Sequence, residues 1–99
     1  MQNRTISMIG IAAKAGKVVS GEFSTEKAIK EFKAYLVIVA KDASDNTKKK
    51  FKNSTDFYKV KYVELFDKDE LGRCIGKEFR ASIAVTDENL ANAILKTID

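Results

Sequence analysis

Histidine, proline and tryptophan do not occur in these 99 residues, and cysteine occurs once. Without histidine, neither a Ser-His-Asp nor a Cys-His nucleophile can be assembled. One thiol, Cys74, can neither build a disulfide framework nor, with no imidazole beside it, complete a zinc site. No metal, no cofactor and no enzyme activity are therefore expected. No apolar run approaches the ~20 residues that a membrane span needs. The opening MQNRTISMIG lacks a basic leader, a long apolar block and a small-residue cleavage site. The expectation is a cytoplasmic chain with no membrane partner. With proline missing, glycine, asparagine and aspartate are left to make the turns.

What is present is globular in character. At 44% hydrophobic and 32% charged residues, the chain has enough apolar material for one domain around a single core. Lysine and arginine number 18 against 14 acids, a net charge of +4, which favours polyanionic partners. The charge is unevenly spread. Lys14 to Lys52 is rich in lysine, whereas Glu64–Glu70 and Asp87–Asp99 lean acidic, so one side is expected to be positive.

Read in order, Asn3 caps a first helix with Ile6, Ile9, Gly10 and Ala13 on one stripe, Met8 and Ala12 beside it, and Gly16 at its end. A brief strand at Val18 and Val19 leads to a second helix. There Thr25, Ala28, Ile29 and Phe32 recur at helical spacing, leaving Glu26, Lys27, Lys30 and Lys33 outward. Tyr35 to Ala40, YLVIVA, is the pattern of a central strand covered on both faces. Asp45 to Thr55 reads as a third helix with Thr47, Phe51 and Ser54 inward and Lys48, Lys49, Lys50 and Lys52 on the remainder. Val60 to Phe66 is a strand, and Asp67 or Asp69 caps a short helix that buries Leu71, Cys74 and Ile75 and ends at Gly76. Ser82 to Val85 is the last strand. Asp87 caps a final helix striped by Leu90, Ala91, Ile94, Leu95 and Ile98. Helix and strand alternating throughout predict the α/β class, as a three-layer α/β/α sandwich on four strands.

The chemistry concentrates between Lys14 and Phe32. Gly16 and Gly21 bracket a strand that runs into a helix N-terminus, whose first amides have no intrahelical partner. Lys14, Lys17, Lys27 and Lys30 are expected to surround that junction, an arrangement suited to a phosphate backbone. Gly16-Lys17 is not a phosphate loop, because Ile11 and Val18 stand where that motif wants glycine and a hydroxyl residue. Cys74 reads as a small buried hydrophobe, and Asp42, Asp45 and Asp67 as turn or cap residues. Phe23 and Phe79 lie between charged or polar residues. Each stacks on a base if exposed and otherwise folds back on the core.

Three stretches, VVSGEFSTEKAIK, YLVIVAKDASDNT and ELGRCIGKEFRASIAV, together resemble the kink-turn-binding superfamily of large-subunit ribosomal proteins seven-Ae and thirty-e and the Gadd type. They are most similar to its bacterial YlxQ-type branch, and the likeness runs from the first helix to the last. The resemblance implies a mixed four-stranded sheet and recognition of a sharply bent RNA motif with tandem G·A pairs. Three segments would meet the RNA. In the first, Gly21 would let RNA approach the backbone and Lys27 would contact phosphate, with Glu22, Phe23 and Ser24 between them. The second is the turn Ala40 to Ala43, carrying Lys41 and Asp42. The third is the loop of Lys77, Glu78, Phe79 and Arg80, bordering an extruded nucleotide. Strong kink-turn binders carry Asn-Glu or Lys-Gln two and three residues after the glycine, and this chain has Phe23-Ser24 there. Losing a bidentate base contact removes roughly 1–3 kcal/mol of discrimination and leaves phosphate affinity in place. Glu22 adds a negative charge, and Lys41 replaces an acidic or amide residue.

Three readings compete. The favoured one is a non-catalytic, monomeric RNA-binding module working with the ribosome or another structured RNA. The others are a detached RNA-recognition domain partnering an RNA-processing or RNA-modifying enzyme, and a protein-interaction module using Phe23 and Phe79.

Overall fold

The apolar run Leu36–Val39 forms a strand with all four side chains buried, and the rest of the molecule is laid against its two faces. In the structure, a computed structural model that describes residues 2–98, nine elements follow one another. They are α1 (Gln2–Lys14), β1 (Val18–Ser20), α2 (Glu22–Lys30), β2 (Leu36–Val39), α3 (Asp45–Tyr58), β3 (Lys61–Glu64), α4 (Lys68–Cys74), β4 (Ser82–Val85) and α5 (Glu88–Lys96). The strands make one sheet in the order β1-β4-β2-β3. β4 runs antiparallel to both β1 and β2, while β2 and β3 are parallel, so the sheet is mixed.

Side chains alternate across a strand, and that alternation builds two cores. Leu36, Ile38, Ile83 and Val85 pack with Ile9 and Ala12 of α1, Leu71 of α4, and Ala91 and Ile94 of α5. On the other face Val37, Val39 and Ala84 pack with Ala28 and Ile29 of α2 and Phe51 of α3. The α/β/α sandwich is therefore three helices, a sheet and two helices. Where both faces of a strand are covered, a near-continuous apolar run is required, which is why YLVIVA was legible.

Several boundaries and faces differ from the sequence expectation. α1 begins by Gln2, so Asn3 does not precede it as a cap. Its buried stripe is Thr5, Ile9 and Ala12, with Ile6 36% exposed. Phe32 is 76% exposed and not inward, because α2 ends at Lys30 and Phe32 turns to φ 61. Tyr35 precedes β2 and is exposed. α3 runs three residues past Thr55, to Tyr58. β3 stops at Glu64, and Leu65 and Phe66 are buried beyond it. Cys74 and Ile75 are half-buried. Asp67 proves to be the cap of α4, accepting from the Glu70 N–H while the Glu70 side chain accepts from Asp67 N–H.

Candidate nucleic-acid interface

β1, β2 and β3 finish, and antiparallel β4 begins, at the same end of the sheet. Residues distant in sequence are therefore delivered to one rim and tied there by hydrogen bonds. Gly21 N–H donates to Ser82 O at 2.9 Å and Ala40 N–H to Ala81 O at 2.9 Å. Lys41 N–H donates to Phe66 O at 2.7 Å, and Arg80 N–H to Lys68 O at 3.0 Å. Lys68 N–H in turn donates to Asp42 Oδ1 at 2.9 Å. The segments beginning at Gly21, Ala40 and Lys77 thus adjoin one another.

α2 starts at this rim without a side-chain cap. Its first backbone bond is Thr25 N–H to Gly21 O, 3.0 Å, and among the described residues the amides of Glu22, Phe23 and Ser24 have no partner. Three donors and the positive end of the helix dipole face outward together. Gly21, at φ 91 and ψ 163, holds a conformation that side-chain-bearing residues rarely adopt. This is what lets the strand turn directly into the helix. Phe23 is 78% exposed and Phe79 59%, so both aromatics face solvent and neither folds back on the core.

The third segment is held more firmly than a loop of charged residues suggests. Arg80 donates from Nε to Ser20 Oγ at 2.9 Å and from Nη1 to Phe79 O at 2.8 Å, which fixes its guanidinium beside the end of β1. Lys68 Nζ stands 5.2 Å from the centre of the Phe79 ring, a cation–π contact. Lys77 and Glu78 are exposed.

The expected gathering of four lysines at the Gly21 junction is corrected by the structure. Lys14 and Lys17 precede β1, and Thr86 N–H donates to Lys17 O at 2.8 Å, which places them at the end of the sheet where β4 finishes. A three-residue strand, roughly 10 Å, separates Lys17 from Gly21. Lys30 pairs with Glu26 at 3.3 Å. Of the four, Lys27 alone shares a shallow hollow with Phe23 and Ser24, which extends to Thr86; like Lys14 and Lys17 it has no ion pair among the described residues.

Glu22, expected as an added negative charge, is matched by Lys50 Nζ at 2.7 Å. Lys48 and Lys52 pair with Glu64 at 3.7 and 3.9 Å, so the lysine run of α3 is largely engaged with the protein's own carboxylates. Asp42 serves as a brace for the start of α4, as its reading as a turn or cap residue anticipated. The residues that sequence reasoning missed are Ser20, Lys50 and Lys68. Lys68 lies in an acidic stretch and gave no signal. Lys50 had one, since Glu22 and Glu26 stand one turn apart on α2 and call for a cation.

Burial first, and the Glu70 carboxylate second, push the Cys74 thiol up from its ordinary value, which suits a packing residue better than a nucleophile. No described helix is long and apolar enough to cross a membrane.

The model of the "Ribosomal protein L7Ae/L30e/S12e/Gadd45 family" matches residues 5–96. The chain is 44% identical over 92 residues to the RNA-binding protein YlxQ of Bacillus subtilis (strain 168), covering 93% of this chain and 92% of that protein. It is 38% identical over 98 residues to the RNA-binding protein YlxQ of Enterococcus faecium, covering 99% and 94%. A solved structure, the Giardia lamblia 15.5kD RNA binding protein, matches with a TM-score of 0.82 over 96% of this chain and 82% of its own, at 21% identity. That likeness shows the fold.

Proposed function

This chain belongs to the ribosomal protein L7Ae/L30e/S12e/Gadd45 family, and from that premise we propose that it is a non-catalytic RNA-binding protein that receives a structured, kink-turn-like RNA on the rim around Gly21. The observation that carries the reading is the convergence of the Gly21–Lys27, Ala40–Ala43 and Lys77–Arg80 segments on one end of the sheet, beside an uncapped helix N-terminus. Open amides and Lys27 suit phosphates, and the immobilised Arg80 adds a planar fork of donors. Phe23 and Phe79 offer two exposed rings on which unpaired bases can stack. The two relatives named as RNA-binding proteins support the same class.

With Phe23-Ser24 in place of polar readers, recognition rests on backbone shape and stacking more than on guanine edges. The test is titration of the purified chain with a kink-turn RNA, the same RNA with its tandem G·A pairs replaced by Watson–Crick pairs, and a straight duplex of equal length. Tighter binding to the bent RNA is expected. Equal affinity for all three overturns the kink-turn preference, and no binding to any overturns the RNA reading.

A further inference from the structure

Glu22 and Glu26 stand one turn apart on α2, and Glu22 sits at its N-terminus, where carboxylates have the wrong sign for a surface that receives phosphate. Lys50 answers both. Reaching across from α3, its Nζ lies 2.7 Å from Glu22 Oε2 and 3.0 Å from Glu26 Oε1. Lys30 Nζ stands 3.3 Å from the other Glu26 oxygen. The two carboxylates are thereby gathered on the flank of α2 that faces α3, while Phe23 and Lys27 line a hollow with Val19 and Thr86.

A helix N-terminus attracts a carboxylate for the same reason that it attracts a phosphate. The unpartnered amides of Glu22, Phe23 and Ser24 are therefore within the compass of Glu22 itself once nothing else holds it. We propose that Lys50 is a positioning residue of the RNA surface, holding Glu22 and Glu26 on the α3 flank so that the amides of α2 stay open and their approach carries no net negative charge. The inference rests on the RNA reading above and deepens it, since Lys50 acts through Glu22 and not through a phosphate of its own. The Lys50 ammonium is held above its ordinary value, first by the hydrogen bond with Glu22 and then by that with Glu26, as befits a cation engaged by both.

The test uses the full chain and the kink-turn RNA of the preceding titration, measured across a range of salt. Lys50→Met leaves Glu22 without a partner and Glu26 with Lys30 alone, and binding is expected to weaken about tenfold, the effect of a like charge close to a phosphate. The logarithmic salt slope should stay as in the unaltered protein, because no phosphate contact is lost. The triple variant Lys50→Met, Glu22→Gln, Glu26→Gln should recover affinity to within about threefold, since it removes the carboxylates that Lys50 restrains. Lys50→Arg should bind like the unaltered protein, and the thermal transitions of all variants show whether each is folded. If Lys50→Met binds as well as the unaltered chain, the positioning role is overturned and the RNA reading stands. If its salt slope falls by about one and the triple variant stays weak, Lys50 touches a phosphate directly, which also overturns the proposal and leaves the reading intact. Failure of the unaltered protein to bind any RNA removes the reading and this inference together.

Discussion

Two glycines shape the rim, for different reasons. Gly21 supplies a backbone conformation, with open space where a Cβ would stand. Gly72 supplies room. A Cβ there would lie 1.5 Å from the Glu78 carbonyl oxygen and 2.4 Å from its carbon, so the backbone of the loop that carries Phe79 and Arg80 would have to move. Gly72→Ala should therefore cost about 1–3 kcal/mol of stability, the usual range for overpacking. It should also weaken RNA binding by displacing Arg80 from Ser20. Denaturant unfolding and RNA titration check the two effects, and unchanged stability would show that the loop is not seated on α4. The ELGRCIG stretch gave the helix and its end at Gly76, but not this role. The clash involves residues six and seven positions onward, across a turn whose path local sequence does not encode.

At the scale of elements, the link between α2 and α3 has a pH signature. The Lys50 hydrogen bond is the largest influence on the Glu26 carboxyl. With the Lys30 bond and the attraction of both ammonium groups, it outweighs burial and holds the group below its ordinary value of 4.5. A carboxylate depressed in this way contributes stability that is present above its unfolded value and lost as pH falls through the folded one. Glu22, Lys50 and Lys30 are the charged groups facing it. The pair is partly exposed, so it is worth no more than about 1 kcal/mol. Glu26→Gln should be destabilised by up to that amount near neutrality, and the gap from the unaltered protein should close as the pH falls below the ordinary carboxyl value of 4.5 and through the lowered one. Melting curves across that range check it, and a gap independent of pH would count against the charge linkage. The helices themselves were readable from apolar spacing and caps such as Asp67 and Asp87. Their ends were not, as Phe32 shows. Its spacing continues the inward stripe of α2, yet the chain leaves the helix at Lys30 and the side chain turns outward.

For the whole molecule, topology decides which lysines can act together. Lys14 and Lys17 belong to the far end of β1, while Lys27 lines a hollow that runs from Phe23 near the rim back to Thr86, the residue bonded to Lys17. Lys27→Ala should weaken RNA binding at all sequences and reduce the logarithmic salt slope by about 0.7–0.9, one phosphate contact. Lys14→Ala and Lys17→Ala should leave the slope unchanged. Salt-dependent titrations of the three variants check this, and equal losses would place the RNA along the length of β1.

The sequence by itself determined the order of elements, the buried central strand and the likeness to an RNA-binding family. These follow from periodicity, capping residues and motifs that act over a few positions. Only the tertiary structure decided which charges are available. Whether Lys50 is a solvated cation or the partner of Glu22 and Glu26 depends on how α3 packs beside α2, which brings Lys50 to Glu22 across 28 residues of sequence. The four lysines between Lys14 and Lys30 are neighbours along the chain, but the strand between them carries two to one end of the sheet and the turn at Gly21 sends the helix off from the other. Electrostatics acts through space, and distance in space is set by the fold.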